Sequence, residues 1–171
     1  MGRGTSRAHD GTVMKNRSTS AAAASSLTAL HNRLFFRVFQ VGNMLQRQAA
    51  QEIGISSVQW AVLGALSSPR YQEGMTVTQL AEHLAVSRQN LDGVLTRLER
   101  DGHVVRVPDA TDKRTRRVTM TEGGWAFWNR LQETIEAFYA QSIHDFSFDD
   151  KVACVHFLNK LLTNMRNVKL G

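Results

Sequence analysis

One stretch of the chain, TVTQLAEHLAVSRQNLDGVLTRLERDG at residues 76–102, leaves little choice of local fold. Thr76, with Gln79 three residues on, has capping-box spacing, in which each side chain satisfies a free backbone N–H of the other at a helix start. Leu80, Ala81 and Leu84 then point inward, and this short helix ends near Ala85. Ser87 caps a second helix, which Asp101-Gly102 closes. Two helices joined by so tight a turn are a helix-turn-helix. Mapped at about 100° per residue, the second helix turns Leu91, Val94, Leu95 and Leu98 inward. Gln89, Asp92, Gly93, Thr96, Arg97 and Arg100 fall opposite, with Arg88 and Asn90 on the flanks. An exposed mid-helix glycine costs roughly 1 kcal/mol relative to alanine. Close approach to a groove accounts for Gly93, and so does simple tolerance.

The next stretch, HVVRVPDATDKRTRRVTMT, reads as strand, turn, strand. Val105 and Val107 alternate with Arg106, and Arg116, Val118 and Met120 alternate with Arg117 and Thr119. A hairpin directly after a helix-turn-helix makes a winged helix. Its basic residues are Arg106, Lys113, Arg114, Arg116 and Arg117, against Asp109 and Asp112. That excess suits a polyanion, and the formal charge of +6 over 171 residues agrees.

Helices flank this lobe. Leu27, Leu30, Leu34, Val38, Val41 and Leu45 recur at steps of three and four, and Phe35, Phe36 and Phe39 widen the apolar surface beyond one face. Gly54 stops that helix, and Ser56 with Gln59 starts the next, whose core face is Trp60, Val62, Leu63 and Leu66. After Thr121 a long helix bears Trp125, Trp128, Leu131, Ile135, Phe138 and Tyr139. Ser147 and Asp150 cap the last, with Val152, Val155, Leu158, Leu161, Leu162 and Met165 at helical spacing. The terminal helices carry more apolar surface than one small lobe covers, which predicts packing against a second copy. The fold class is therefore mainly α with a small β wing. The expected organisation is a flexible basic arm (1–26), a helical dimerisation region (27–54 and 121–168) and a winged helix-turn-helix lobe (55–120).

Other functions find little footing. No apolar run approaches the roughly 20 residues of a membrane span, and the start of the chain lacks a secretion signal. Cys154 is the one cysteine, so no internal disulfide forms and a reducing, cytoplasmic compartment fits. Its place on an apolar stripe predicts a buried thiol rather than a redox switch. The six histidines and one cysteine show no metal-ligand spacing. No Ser-His-Asp order, no paired carboxylates in a cleft-like context and no phosphate-cradling glycine loop mark an enzyme, and no cofactor is expected.

The order of elements, with LAEHLAVSRQNLDGVLTRLERDGHVVRVPDATDKRTRRVTMTEGG, resembles the MarR family of bacterial transcription regulators. The specific pattern is Gly102, Val104, Arg106, Asp112, Arg114, Val118, Met120, Thr121 and Gly124, and the likeness spans roughly residues 27–168. Ala85 stands where a glycine is common, and Met120 replaces the usual leucine. The resemblance implies a homodimer on double-stranded DNA, each lobe placing its recognition helix in a major groove and its wing in the adjacent minor groove. It also implies a small aromatic effector, most often an acid, held between the dimerisation helices and the lobe. The function it implies is a repressor released from a palindromic operator, and a ligand-independent architectural DNA binder is the alternative.

Residues can be assigned to these tasks. Arg88 and Arg97 suit guanine edges, Gln89 and Asn90 suit adenine, and Ser87 and Thr96 reach phosphate or base edges. Asp92 would repel phosphate and act as a selectivity element. On the wing, Lys113, Arg114, Arg116 and Arg117 face the DNA. A narrow minor groove accepts an inserted Arg. Arg114 is the candidate and Lys113 the second, unless an Asp112–Arg114 ion pair merely shapes the turn. For the effector, His31, Phe35, Phe39, Trp60 and Trp128 line a cleft, or else form plain core, and Arg106 pairs with a carboxylate.

Overall fold

A computed structural model describes residues 10–109, 112 and 114–170, with side chains from residue 25 onward. Helix α1 runs from Asp10 to Gln48, starting much earlier than Leu27. Part of the expected arm is thus helical, and residues 1–9 lie outside the described residues. Ala21 to Ala24 and the absence of proline there explain the extension, since alanine loses least on entering a helix. A widened π turn, Ala49–Ile53, ends α1 at Gly54, whose φ of 81° suits a residue without a side chain.

The remaining helices start where their caps predict. In α2 (Ser57–Leu66) the Ser56 hydroxyl accepts from the Gln59 N–H and Gln59 accepts from the Ser56 N–H. Helix α3 (Val77–Leu84) repeats the device with Thr76 and Gln79. Helix α4 (Arg88–Arg100) has Ser87 as its cap, and α5 spans Glu122–Ser142. Helix α6 (Phe148–Arg166) begins with Ser147 and Asp150. The bonds from Ser147 hold the Asp150 carboxyl below the usual carboxylate range.

Between α2 and α3 the sequence reads as loop. The structure places there a short 3-10 turn, Pro69–Tyr71, and a two-residue strand β1, Met75–Thr76. Strands β2 (Val104–Pro108) and β3 (Arg116–Met120) form the hairpin, and β1 joins the far edge of β3. Gly74, at φ 79°, makes this pairing possible, because a Cβ there would collide with the Val118 carbonyl.

The main core lies inside this lobe. Leu63, Leu80, Leu91, Leu95, Leu98 and Val118 are fully enclosed, so α2, α3, α4 and the sheet share one interior. A second, smaller core gathers Ala49, Ile53, Trp60 and Ile135, with Trp128 and Phe138 against it. It ties the π turn to α2 and α5.

Helix α6 buries none of its residues. Phe148, Val152, Val155, Phe157 and Leu158 are all more than half exposed, as are Leu27, Leu30, Phe36, Phe39 and Val41 on α1. Cys154 is exposed as well, contrary to the buried thiol expected from its stripe. The apolar side of α6 faces away from its own lobe, so burial there waits on another surface. Monomeric soluble proteins rarely expose so large a patch.

Ala85 ends α3 in the left-handed region at φ 53°. An L-residue there is strained by roughly 1–2 kcal/mol, which glycine avoids. Ala85→Gly is expected to raise the thermal midpoint by about 2–4 °C, measured by calorimetry at fixed protein concentration. The reverse holds at Gly124, where a Cβ would strike the His103 carbonyl. Gly124→Ala is expected to lower the midpoint by more than Ala85→Gly raises it.

Candidate nucleic-acid interface

The surface of α4 is divided as its periodicity predicts. Leu91, Val94, Leu95 and Leu98 are buried, while Arg88, Gln89, Asn90, Asp92, Gly93, Thr96, Arg97 and Arg100 are exposed. The Ser87 hydroxyl accepts from the Asn90 N–H at 3.2 Å, which leaves it a proton to donate outward. The Thr96 hydroxyl is turned back and donates to the Asp92 carbonyl at 2.9 Å. Gly93 has open space around its missing Cβ. Among the described residues, therefore, no neighbour requires a glycine there.

The far end of α4 is locked to both the wing and α5. The Asp101, Gly102 and His103 amides donate back to carbonyls of its last turn, with Gly102 at φ 75°. The Thr121 N–H donates to the His103 carbonyl at 3.1 Å, and its hydroxyl donates to the Gly102 carbonyl at 2.6 Å. That hydroxyl also accepts from the Gly124 N–H and so caps α5. Gly102, Thr121 and Gly124 thus form one junction where α4 ends, the wing begins and α5 begins. His103 lies flat on Phe127 of α5, ring centroids 4.1 Å apart, alongside this junction.

The wing divides its arginines into two kinds. Residue pairing sets Arg106 opposite Val118, on the buried side of the hairpin with Val104. Its guanidinium reaches α4, with Nη2 2.8 Å from Asp92 Oδ1 and Nε 3.4 Å from Glu99 Oε2. Both contacts are ion pairs; the hydrogen bond from Nη2 goes to the Asp92 carbonyl at 3.4 Å, and Nε has no hydrogen-bond partner among the described residues. Arg106 is thus committed to α4 rather than open to an effector carboxylate.

Arg117 is also turned inward, contrary to its expected place on the DNA side. It donates to Asp109 Oδ2 at 2.9 Å and to the Glu73 and Gly74 carbonyls at 3.1 Å each. Asp109 is buried, and its other oxygen accepts from the Asp112 N–H. Arg117 is a clamp that ties the wing to the β1 turn. A guanidinium suits this because its planar donors serve three acceptors at once.

Arg114 and Arg116 are the other kind. Both are exposed, and among the described residues neither forms an ion pair. The Asp112 carboxylate shapes the turn through the Arg114 backbone N–H and the Thr115 hydroxyl, at 2.9 Å each. It therefore orders the loop without neutralising the Arg114 guanidinium. Lys113 lies outside the described residues.

The effector candidates do not converge. Trp60 and Trp128 are brought together in the second core, Trp60 against Phe138 and stacked on Tyr139. Burial raises the Tyr139 phenol above its ordinary pKa. His31, Phe35 and Phe39 are exposed on α1. An open cavity of about 720 Å³ lies instead between the end of α1, the π turn and α5. Val41, Met44, Leu45 and Phe138 give it apolar walls, and Gln48 and Glu52 give it polar ones. None of the six effector candidates lines it, and among the described residues no Lys or Arg does. Periodicity alone marked Val41 and Leu45 as apolar but held no sign that they face α5 across a gap.

The chain is similar to known proteins in sequence and in fold. The sequence pattern described as MarR family matches residues 53–115. The transcriptional activatory protein BadR of Rhodopseudomonas palustris is 47% identical over 163 residues, 93% of each chain. The homoprotocatechuate degradative operon repressor of Escherichia coli is 29% identical, covering 68% of this chain and 76% of its own. Among solved structures, a mutant MarR from E. coli complexed with operator DNA superposes with a TM-score of 0.66 at 24% identity, over 76% of this chain and 94% of its own. The PcaV regulator from Streptomyces coelicolor, in complex with its natural ligand, gives 0.63 at 23%, over 77% and 91%.

The division of the wing arginines has a measurable consequence. Arg117→Ala removes the ion pair to the buried Asp109 and the bonds to the Glu73 and Gly74 carbonyls, and is expected to cost roughly 2–4 kcal/mol of unfolding free energy. Arg114→Ala is expected to stay within about 0.5 kcal/mol of the parent. Denaturant titrations at matched protein concentration separate the two.

Proposed function

Since the chain belongs to the MarR family of transcriptional regulators, we propose that it binds a near-palindromic operator as a homodimer. In this reading residues 55–120 are the DNA-binding lobe, and residues 27–54 and 121–168 join the two copies. The observation that carries it is the exposed polar face of α4, with a hairpin bonded to it whose Arg114 and Arg116 point to solvent unpaired among the described residues. A helix of this kind reads base edges in a major groove, and an unpaired Arg beside it enters the neighbouring minor groove. The uncovered apolar faces of α1 and α6 support pairing of two copies. MarR-family regulators bind operator DNA and act as dimers. Two-fold symmetry then sets half-sites about one helical turn apart.

The regulatory signal in this reading is a small aromatic molecule, and the cavity beside α5 supports it. Its walls offer amide and hydroxyl groups and one acid, without a cation among the described residues, so they accept an aromatic body with its polar group held by neutral donors. Trp60 and Trp128 act as core that transmits strain from α5 to α2. The primary reading is repression relieved by the effector. Activation is the second reading, favoured by the name of the 47%-identical relative.

No helix among the described residues is long and apolar enough to cross a membrane.

Electrophoretic mobility titrations test the DNA reading. One sharp complex is expected with a palindromic duplex, several hundredfold or more tighter than with a scrambled one. Arg114→Ala is expected to weaken it about tenfold and to reduce the salt slope by about 1. Equal affinity for both duplexes at physiological salt would favour an architectural DNA binder instead. A reporter in a deletion strain separates the regulatory signs, rising for a repressor and falling for an activator.

A further inference from the structure

We propose that Arg106 and Asp92 form a two-residue specificity element, in which the wing orients and neutralises a carboxylate on the recognition helix so that it can read an exocyclic base amine. The inference rests on the operator-binding reading above and adds to it a role for an acid that bare electrostatics places on the wrong surface.

Asp92 stands on the exposed face of α4 with its side chain 61% accessible. A free carboxylate in that position repels the phosphates on both sides of a groove. Here it is not free. Arg106 Nη2 forms an ion pair with Oδ1 at 2.8 Å and donates to the Asp92 carbonyl at 3.4 Å. The Thr96 hydroxyl donates to the same carbonyl at 2.9 Å. Residue 92 is therefore held at both its side chain and its backbone, while more than half of its side chain stays accessible to a ligand.

Arg106 is itself fixed. Its strand position faces the core beside Val118, its side chain is three-quarters covered, and Glu99 braces its Nε from further along α4. A carboxylate anchored through one oxygen accepts through the other, and the major-groove donors are the cytosine and adenine amino groups. Cytosine N4 is the partner that a lone carboxylate oxygen fits. Gly93 beside it leaves open space on the same surface, so no neighbouring side chain keeps the base edge away.

Arg106 is then a positioning residue and Asp92 the reader. The wing also becomes one rigid unit with α4, because the strand that leads to Arg114 is bonded to the helix that enters the groove.

The test uses the full-length protein and a duplex that the parent selects from a random pool. Affinities are measured over a range of salt concentrations, with single base-pair substitutions across one half-site. Asp92→Asn is expected to keep its thermal midpoint and to lose discrimination at one C·G pair by about fivefold or more, leaving the other positions unchanged. Arg106→Ala is expected to lose the same discrimination and to weaken binding, with the salt slope unaltered. Adding Asp92→Asn to Arg106→Ala is expected to recover affinity, because the unneutralised charge is gone, but not discrimination.

Should Arg106→Ala fail to fold, Asp92→Asn decides alone: unchanged preference at every position overturns the inference. A slope reduced by about 1 in Arg106→Ala, without recovery on adding Asp92→Asn, marks Arg106 as a phosphate contact and overturns it as well. A parent protein that selects no duplex refutes the operator-binding reading itself, and this inference with it.

Discussion

Everything in this molecule hangs on the place where the Gly102 and His103 carbonyls meet Thr121 and Gly124. Three elements start or stop there: α4 ends, the wing leaves and α5 begins. The contacts are backbone to backbone, or backbone to one short hydroxyl, so they have almost no rotamer freedom. The other connection between the lobe and α5 runs through the second core of Ala49, Ile53, Trp60 and Ile135. That core is small and borders an open cavity, which makes it the softer of the two connections.

The arginines of the wing show why composition describes charge but not its use. Arg106 and Arg117 are consumed inside the protein by Asp92, Glu99 and Asp109. Partly buried guanidinium groups must be paired, since an unpaired charge away from water costs several kcal/mol. Among the described residues of the wing, Arg114 and Arg116 are the arginines left exposed and without an ion pair. The internal pairs serve the external one by holding the hairpin to α4 on one side and to the β1 turn on the other.

The apolar surfaces of α1 and α6 make stability and association inseparable. Helix α6 buries no residue, and the bond from Arg166 to the Glu82 carbonyl on α3 gives it a polar tie to its own chain but no apolar burial. Only burial against another surface supplies the hydrophobic gain that offsets its ordering. Cys154 belongs to the same account: its stripe is apolar by sequence and exposed in the single chain.

Much of this is legible along the chain alone. Ser56, Thr76, Ser87, Thr121 and Ser147 announce their helices because capping is a local interaction, complete within a few residues. The buried side of α4 and the presence of the hairpin come from period alone. The remainder waited on packing. The partners of Arg106, Arg117 and Gly74 lie on other elements, as do the surroundings of Trp60 and the walls of the cavity. A residue's type tells what bond it can make, but only the folded chain brings the other half of that bond within about 3 Å of it. For that reason Arg114 and Arg117 look alike in the sequence, while in the structure one is open to solvent and the other holds the wing together.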